Sequence, residues 1–375
     1  MNIVIITSAA FPPREGVGNH IFNVSKNLVA RGNEVTIVTR GHRGEKYASK
    51  LDGITIYRPH FFPIYPFHVH IHRIFVNKLV KELQTTADLI NIHTPLSPVV
   101  SSTLPLMTTV HTPMKQDTRE VEYVDPFSIA VKLQGKASYL IERELFANSK
   151  SIASVSRFVA QGLKEYGLNP KDIFFIGNGV DDKKFMPQQR PNAKKQYVLF
   201  VGRLSYRKGL FDLLKSAKHV AERYPHLLFM IVGQGRLENQ IRKYIWQMKL
   251  QKNIVLLGFV SRHKLIELFQ HATVFVLPSV YEGLATTLLE AMATGLPVVA
   301  TSIRCNMEVI NHRKNGIIVP THSPKKMAEA IIALLDDKKL RRRLGSKARS
   351  TIQEKFTWRK VTDRTEKCYN NLLLG

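Results

Sequence analysis

Two carboxylates frame a turn in the second half of this chain, with a glycine between them. Glu282 stands in the turn after an apolar run, and Glu290 lies within the helical pattern that follows. Gly283 lets the backbone approach a ligand closely. Four amides at the predicted helix start would be unpaired beside the positive end of the helix dipole, those of Leu284, Ala285, Thr286 and Thr287. Such a segment would hold phosphate on its amides and sugar hydroxyls on its carboxylates, although Glu282 could instead cap the turn and Glu290 could face solvent.

Basic residues and glycine turns follow three other apolar runs. Arg203 and Lys208 come after Tyr197–Val201, where they could neutralise a diphosphate or form an ordinary surface pair. Gly235 and Gly258 lie in turns at two further strand ends, which suits contacts with a nucleotide base.

The first half of the chain carries two weaker candidates. Gly16 and Gly18 lead into a helical pattern, so their amides could reach a phosphate, but a plain loop explains them equally well. His111 ends the predicted strand Thr108–His111, as either a catalytic or sugar-contacting group or a structural residue.

The elements that must position these residues alternate between β-branched apolar runs and helical patterns, which predicts an α/β fold. Helix Thr286–Thr294 is expected to be capped by Thr286 or Thr287 and ended by Gly295. We predict two Rossmann-like, doubly wound parallel-sheet domains that face each other across a cleft. Their predicted bounds are 1–184 and 185–356, with a polar linker over Lys183–Lys195, and residues 357–375 form a helix that returns to the first domain.

Composition narrows the class of protein. The chain has 375 residues, of which 44% are hydrophobic, and its formal net charge is +26, mostly from residues after Lys184. It has no apolar run long enough to cross a membrane, and Met1–Thr7 indicates a first strand rather than a signal peptide. Two cysteines give neither a metal cage nor a disulfide framework, so we expect a cytoplasmic protein without a metal site. The charge favours anionic partners, but the chain lacks zinc-finger spacing, an RNA-recognition signature and a basic tail, which argues against nucleic acid.

Taken together, the motifs resemble glycosyltransferase family 4. The resemblance lies in Gly202-Arg203-Leu204 with Lys208-Gly209, in Gly233-x-Gly235, in Leu257–Val260, and above all in the stretch from Phe275 through Glu282 and Glu290 to Ala300. It covers nearly the whole chain. It departs from the family pattern at Ala285 and at Ile303–Glu308, where only Glu308 matches well.

The resemblance implies the GT-B fold, retention of anomeric configuration and a UDP- or GDP-sugar donor, with no metal or cofactor required. Glu290 would hold the ribose hydroxyls, and Glu282 would contact the transferred hexose with help from the amides after Gly283. The remaining candidates would act around the leaving group: Arg203 and Lys208 on the diphosphate, Gly16 and Gly18 on the same phosphates, and His111 on the sugar.

The acceptor is predicted less directly. The segment Tyr57–Leu83 is aromatic, basic and rich in histidine, as interfacial helices are. We expect it to meet a lipid-linked or cell-envelope acceptor at an anionic membrane surface, with the protein peripheral on the inner face. A packed helix is the alternative, and His68, His70 and His72 would alternate like metal ligands only on a strand. Two other functions stay open: a sugar-nucleotide epimerase, which would need no acceptor, and a polyanion or nucleic-acid binder, which would depend steeply on salt.

Overall fold

The computed structural model describes residues 1–13, 16–42, 44–64, 67–119, 126–188 and 196–374, with side chains described in all of these except 116, 117, 119 and 126–134. Parts of three predicted features lie outside the described residues: Arg14 and Glu15, which precede the predicted phosphate-binding glycine Gly16; Tyr65 and Pro66 of the segment Tyr57–Leu83, called the aromatic segment below; and residues 189–195 of the linker. The chain forms two compact units. The first unit is Met1–Asn178 with Trp358–Gly375, and the second unit is Gly179–Thr357.

The first unit is built on one eight-stranded sheet. Its strands are β1 (Asn2–Thr7), β2 (Glu34–Val38), β3 (Ala48–Leu51), β4 (Ile54–Tyr57), β5 (Leu89–Thr94), β6 (Leu106–Val110), β7 (Ser151–Ser154) and β8 (Phe174–Phe175). They lie in the order β3-β4-β2-β1-β5-β6-β7-β8. All neighbours are parallel except β3 and β4, an antiparallel edge pair that the apolar pattern did not predict because β3 is polar and half exposed.

Helices cover both faces of this sheet. They are α1 (Gly16–Val29), α2 (His68–Leu83), α3 (Met114–Arg119), α4 (Pro126–Ala147) and α5 (Arg157–Gly162). The side chains of β1 alternate between two cores, with Ile3 and Ile5 in one and Val4 and Ile6 in the other. A strand whose side chains are buried on both faces reads as a continuous apolar run, which is how β1 was found in the sequence.

The second unit repeats this architecture around a six-stranded parallel sheet. Its strands are β9 (Tyr197–Val201), β10 (Leu228–Val232), β11 (Ile254–Gly258), β12 (Val274–Leu277), β13 (Val298–Thr301) and β14 (Ile317–Val319), in the order β11-β10-β9-β12-β13-β14. Its helices are α6 (Leu210–Arg223), α7 (Glu238–Gln247), α8 (Arg262–His271), α9 (Thr286–Ala293), α10 (Arg304–Val309), α11 (Pro324–Asp336) and α12 (Lys338–Lys355). The two predicted α/β domains with parallel sheets are therefore confirmed.

The boundary between the units lies at Asn178–Gly179, upstream of the position at 184 predicted from composition. The reason is packing: Val180 and Phe185 are buried in the core of the second unit, where the ring of Phe185 lies 5.8 Å from that of Phe269. Polar residues at 181–184 hid this contact in the sequence, because the two apolar side chains that anchor the segment flank them.

The last helix, α13 (Trp358–Leu374), returns to the first unit as predicted. Val361, Tyr369 and Leu372 are buried in the core that also contains α1. The hydroxyl of Tyr369 accepts a 2.8 Å hydrogen bond from the amide of Asn91 on β5. On the surface, Arg31 forms ion pairs of 2.7 Å with Asp363 and with Glu366.

Candidate functional site

The strand order of the second unit reverses between β9 and β12. Strands β9, β10 and β11 follow one another to one side, and β12, β13 and β14 follow one another to the other side. In open parallel sheets, ligands bind outside the carboxyl ends of the strands at such a switch point. Lys208 follows β9 and Glu282 follows β12, so both lie at this place.

Lys208 and Glu282 form a buried ion pair there. The Nζ atom of Lys208 donates to Oε1 of Glu282, and the two side chains are only 11% and 10% exposed. The hydroxyl of Ser279 donates to the same carboxylate oxygen at 2.8 Å. The fold thereby brings into direct contact two candidate residues from separate segments of the sequence.

Gly209 allows the two loops to approach this closely. It has a left-handed φ of +63°, and a Cβ atom there would lie 2.0 Å from the carbonyl oxygen of Pro278. The amide of Val280 donates to the carbonyl of Arg207 at 2.8 Å, which joins the same two loops through the backbone. A glycine is required at 209 because no other residue combines this conformation with this contact.

The ion pair determines the charge of Glu282. Burial is the largest influence and by itself would raise the pKa of the carboxyl, but the attraction of Lys208, its hydrogen bond, Arg207 and Ser279 together lower the pKa below the ordinary value. Glu282 is therefore an anion at neutral pH and can accept hydrogen bonds from hydroxyl groups.

The second carboxylate is held in a different environment. Glu290 on α9 is buried, and its Oε1 atom lies 2.9 Å from a guanidinium nitrogen of Arg262, the first residue of α8. That guanidinium also lies over the ring of Phe185, 4.6 Å from its centroid. Burial raises the pKa of Glu290, and Arg262 offsets only part of this effect. The pKa of Glu282 is thus lowered and the pKa of Glu290 is raised.

Arg262 was missed in the sequence. The available sequence signal was a basic residue directly after Ser261, a residue type that often caps helices. In the structure Ser261 is the N-cap of α8, and its hydroxyl accepts from the amide of Lys264 at 3.3 Å. Nothing in the sequence places that position opposite Glu290, since the contact joins two helices from different strand crossovers.

The start of α9 differs from the prediction in its cap. The N-cap is Ala285, in an extended conformation and without a side-chain hydrogen bond, so the predicted cap at Thr286 or Thr287 is wrong. Both threonines are helical. The carbonyl of Ala285 accepts from the amide of Leu288 at 3.2 Å. The amides of the first turn still have no acceptor inside the helix, as any helix start requires.

The glycine turns have structural reasons of their own. A Cβ atom on Gly235 would lie 2.3 Å from the carbonyl oxygen of Leu204, so the loops after β9 and β10 need a glycine there to pack. Gly258 has a φ of +63°, and a Cβ atom there would lie 4.0 Å from the Nε2 atom of Gln234, an ordinary contact distance. Gly283 is half-buried, and Arg203 is exposed at the end of β9. Gly16 and Gly18 lie at the start of α1 in the first unit.

His111 lies directly after β6 rather than within it, and its surroundings were not predicted. It is buried, with its Nε2 atom 3.0 Å from Nδ1 of His93, and its ring centroid is 4.8 Å from that of His20. Burial lowers the pKa of all three imidazoles, that of His20 to about 4. The available signal was a histidine near the carboxyl end of each of two strands, which proved to be the neighbours β5 and β6.

The described part of the aromatic segment Tyr57–Leu83 runs from the end of β4 through irregular chain to α2, which begins at His68. His68 and His72 are buried while His70 is exposed, so they do not alternate along a strand like metal ligands. Four large apolar side chains are exposed nearby, those of Phe62, Ile64, Phe67 and Ile74. Across the described part of the chain, no helix combines the length and the apolar character needed to cross a bilayer.

Comparison with known proteins agrees with this geometry. A family model described as glycosyl transferases group 1 matches residues 181–351, and one described as glycosyltransferase family 4 matches residues 14–184. The chain is 28% identical over 394 residues to an uncharacterized glycosyltransferase of Methanocaldococcus jannaschii, with 98% of each chain covered. It is 30% identical over 226 residues to the Escherichia coli UDP-Gal:alpha-D-GlcNAc-diphosphoundecaprenol alpha-1,3-galactosyltransferase, which covers 57% of this chain and 58% of that protein.

Two solved structures share the fold along the whole chain. Sucrose-phosphate synthase from Thermosynechococcus elongatus superposes with a TM-score of 0.84 at 18% identity and covers 100% of both chains. Anabaena HepE in complex with UDP-glucose superposes with a TM-score of 0.74 at 15% identity and covers 98% of this chain and 99% of that one.

Proposed function

The chain belongs to the group 1 glycosyltransferases, and from that premise we propose that it transfers a hexose from a UDP- or GDP-sugar to an acceptor with retention of anomeric configuration. The observation that carries the proposal is the buried Lys208–Glu282 ion pair at the switch point of the second sheet. Burying both charges has a large desolvation cost, so the pair is weak evidence for stability, and a role toward a ligand explains it better.

The proposal assigns the donor to groups that the second unit supplies. Glu290 accepts hydrogen bonds from the ribose hydroxyls, and Glu282 accepts them from the sugar with the amides that follow Gly283. Lys208 and Arg203 stabilise the negative charge that develops on the departing diphosphate, an effect that is strong because the donors are preorganised. Two side-chain cations and a helix N-terminus supply this stabilisation, so the proposed reaction requires no metal ion. The acceptor attacks from the face of the leaving group.

The proposal extends to three residues of the first unit. Gly16 and Gly18 bring backbone amides to the phosphates, and His111 contacts the sugar near the reacting carbon. These roles come from the family resemblance, and the buried position of His111 supports a fixed ring rather than a mobile one.

Relatives support a nucleotide-sugar donor and a lipid-linked acceptor. The Anabaena structure is a complex with UDP-glucose, and the Escherichia coli enzyme uses UDP-Gal with an undecaprenol-linked acceptor. We propose the same classes here, with the aromatic segment and the net charge of +26 holding the protein on an anionic membrane surface. The exposed side chains of Phe67 and Ile74, 60% and 68% accessible, would enter the lipid headgroup region.

Calorimetric titration with UDP, UDP-glucose, UDP-galactose and GDP-mannose tests the donor site. We expect saturable binding that Glu290→Gln weakens about tenfold or more, because a hydrogen bond to a charged group is lost. Glu329→Gln is the matched control, since Glu329 is an exposed acid paired with Lys326 at 2.9 Å on α11. Equal nucleotide affinity of Glu290→Gln and the control would refute the assigned contact between Glu290 and the ribose. A hexose product that forms without any acceptor would favour an epimerase instead.

Flotation with anionic vesicles at low salt tests the membrane proposal. The variant Phe67→Ser/Ile74→Ser should bind vesicles less than the unmodified chain. The control Trp246→Ser should not, because Trp246 is equally exposed but lies on α7 in the second unit. Failure of the unmodified chain to float would refute the proposed membrane contact and leave the donor site untouched.

A further inference from the structure

Three buried imidazoles meet in the first unit, where no function assigns them a common role. His20 is on α1, His93 is on β5, and His111 directly follows β6. One ring nitrogen from each lies within 4.8 Å of one from each of the others. The adjacent parallel strands bring His93 and His111 together at their carboxyl ends, and α1 adds His20.

The hydrogen bonds of His20 leave one nitrogen available. Its Nδ1 atom lies 3.3 Å from the amide oxygen of Asn178. An amide oxygen only accepts, so Nδ1 carries the proton and Nε2 presents its lone pair. That Nε2 atom is buried and has no hydrogen-bond partner among the described residues. An oriented imidazole with a carbonyl-type acceptor on its other nitrogen is the usual arrangement of a metal-ligating histidine.

The second pair of nitrogens has a suitable separation. Nδ1 of His93 and Nε2 of His111 are 3.0 Å apart. Two imidazole nitrogens bound tetrahedrally to one Zn²⁺ at about 2.0–2.1 Å would be about 3.4 Å apart, so a small outward shift converts the pair into two ligands. Burial also keeps all three rings neutral by lowering each pKa, and the neutral ring is the form that binds a metal.

We propose that His20, His93 and His111 form a binding site for a divalent transition-metal cation that prefers imidazole, with Zn²⁺ as the reference ion. Three nitrogen ligands without a carboxylate favour Zn²⁺, Ni²⁺, Co²⁺ or Cu²⁺ over Mg²⁺ or Ca²⁺. Arg364 is close enough to disfavour a proton on His20, and the same repulsion moderates the affinity for a cation. The bound ion is therefore expected to exchange with chelators.

Occupancy has a consequence that rests on the proposed function. The ion takes the Nε2 lone pair of His111, the residue assigned to the sugar, so Zn²⁺ should inhibit sugar transfer while leaving UDP binding to the second unit unchanged. The proposed metal site is thus inhibitory: it overlaps the sugar contact assigned to His111 but not the UDP-binding groups of the second unit.

The two tryptophans allow a local readout. Trp358 lies 5.5 Å from His20 between ring centroids, while Trp246 is exposed in the second unit. In a Trp246→Phe chain produced without a polyhistidine tag, Cu²⁺ or Ni²⁺ at His20 should quench Trp358, and a chelator should restore the fluorescence. Co²⁺ should give the visible absorption of a tetrahedral nitrogen site.

Variants localise the ion. His20→Gln should weaken Zn²⁺ binding about tenfold or more in calorimetry and abolish quenching, and Asn178→Ala should weaken it about tenfold through the lost orientation of His20. His72→Gln is the control, because His72 is buried on α2 and bonds to the backbone of His60. Circular dichroism checks the fold of each variant.

Clear outcomes would overturn the proposal. An unquenched Trp358, an octahedral Co²⁺ spectrum in the unmodified chain, or equal binding by His20→Gln and the control would each refute it. Metal binding is measured without donor or acceptor, so these outcomes test the metal site alone. The UDP titration tests the proposed transferase function separately.

Discussion

Replacement of Lys208 by methionine should reveal the free-energy cost of burying the carboxylate of Glu282, because Lys208 neutralises that carboxylate in the unmodified chain. Methionine has a similar length but no charge, so Glu282 would remain buried with Ser279 as its hydrogen-bond donor. Removal of one partner from a buried ion pair commonly costs about 3–5 kcal/mol. In this variant burial would dominate, and the pKa of Glu282 would rise above its ordinary value instead of lying below it.

Protonation limits that cost and makes it depend on pH. An unfolded glutamate has a pKa of about 4.3, and each pH unit above it costs about 1.36 kcal/mol to keep the carboxyl protonated. The destabilisation of Lys208→Met that comes from Glu282 therefore cannot exceed about 3.7 kcal/mol at pH 7 and about 1 kcal/mol at pH 5. In the unmodified chain the lowered pKa contributes stability that is present above about pH 4.3 and lost as the pH falls through the folded pKa. In Lys208→Met the raised pKa destabilises the fold as the pH rises.

Hydrogen exchange of peptides from β9 and β12 measures the local opening free energy, and these neighbouring strands precede the loops that carry the ion pair. We expect the difference in opening free energy between Lys208→Met and the unmodified chain to fall by about 2–3 kcal/mol from pH 7 to pH 5. The double variant Lys208→Met/Glu282→Gln should recover most of the stability and lose the pH dependence. A difference that is constant with pH, or a double variant as unstable as the single one, would refute the reasoning.

Two further changes test the rest of the site. Arg262→Ala should raise the pKa of Glu290 further. The UDP affinity measured by calorimetry should therefore fall between pH 8 and pH 6 more steeply than in the control Arg242→Ala, whose replaced side chain is 58% exposed. Parallel pH profiles would contradict this. Gly209→Ala should destabilise the second unit by about 2–4 kcal/mol, through its positive φ and a clash with a carbonyl oxygen. Gly16→Ala, which would meet nothing within 4 Å, should change urea unfolding little by comparison.

The residues of the proposed donor site were chosen from sequence patterns, which did not predict several of the contacts that these residues make. Glu282, Glu290 and Lys208 all stand in short segments whose glycines and apolar runs mark the ends of strands. Arg262 carries no such local signal, because its partner Glu290 lies on another helix. The cap at Ala285 was missed for a different reason: threonine is the better capping residue by preference, but the turn after Glu282 places it one position too far along the helix.

In the first unit, too, the sequence predicted the elements but not the contacts between distant residues. The repeated alternation of apolar runs and helical patterns was enough to predict parallel sheets. It could not predict that His20 would join His93 and His111, since the three residues are far apart in the chain. Nor could it show that the helix of the aromatic segment begins at His68, which buries two of its histidines.

The sequence by itself determined the class of fold, the ends of most strands and the identity of the charged residues that follow them, because periodicity and turn chemistry act over a few neighbouring positions. Only the tertiary structure decided which charges are paired, which acid has a lowered pKa and which a raised one, and which imidazoles share a cluster. These properties depend on burial and on distances of a few ångströms between segments that are far apart in the chain, and they are set when the parallel strands pair and the helices pack on them.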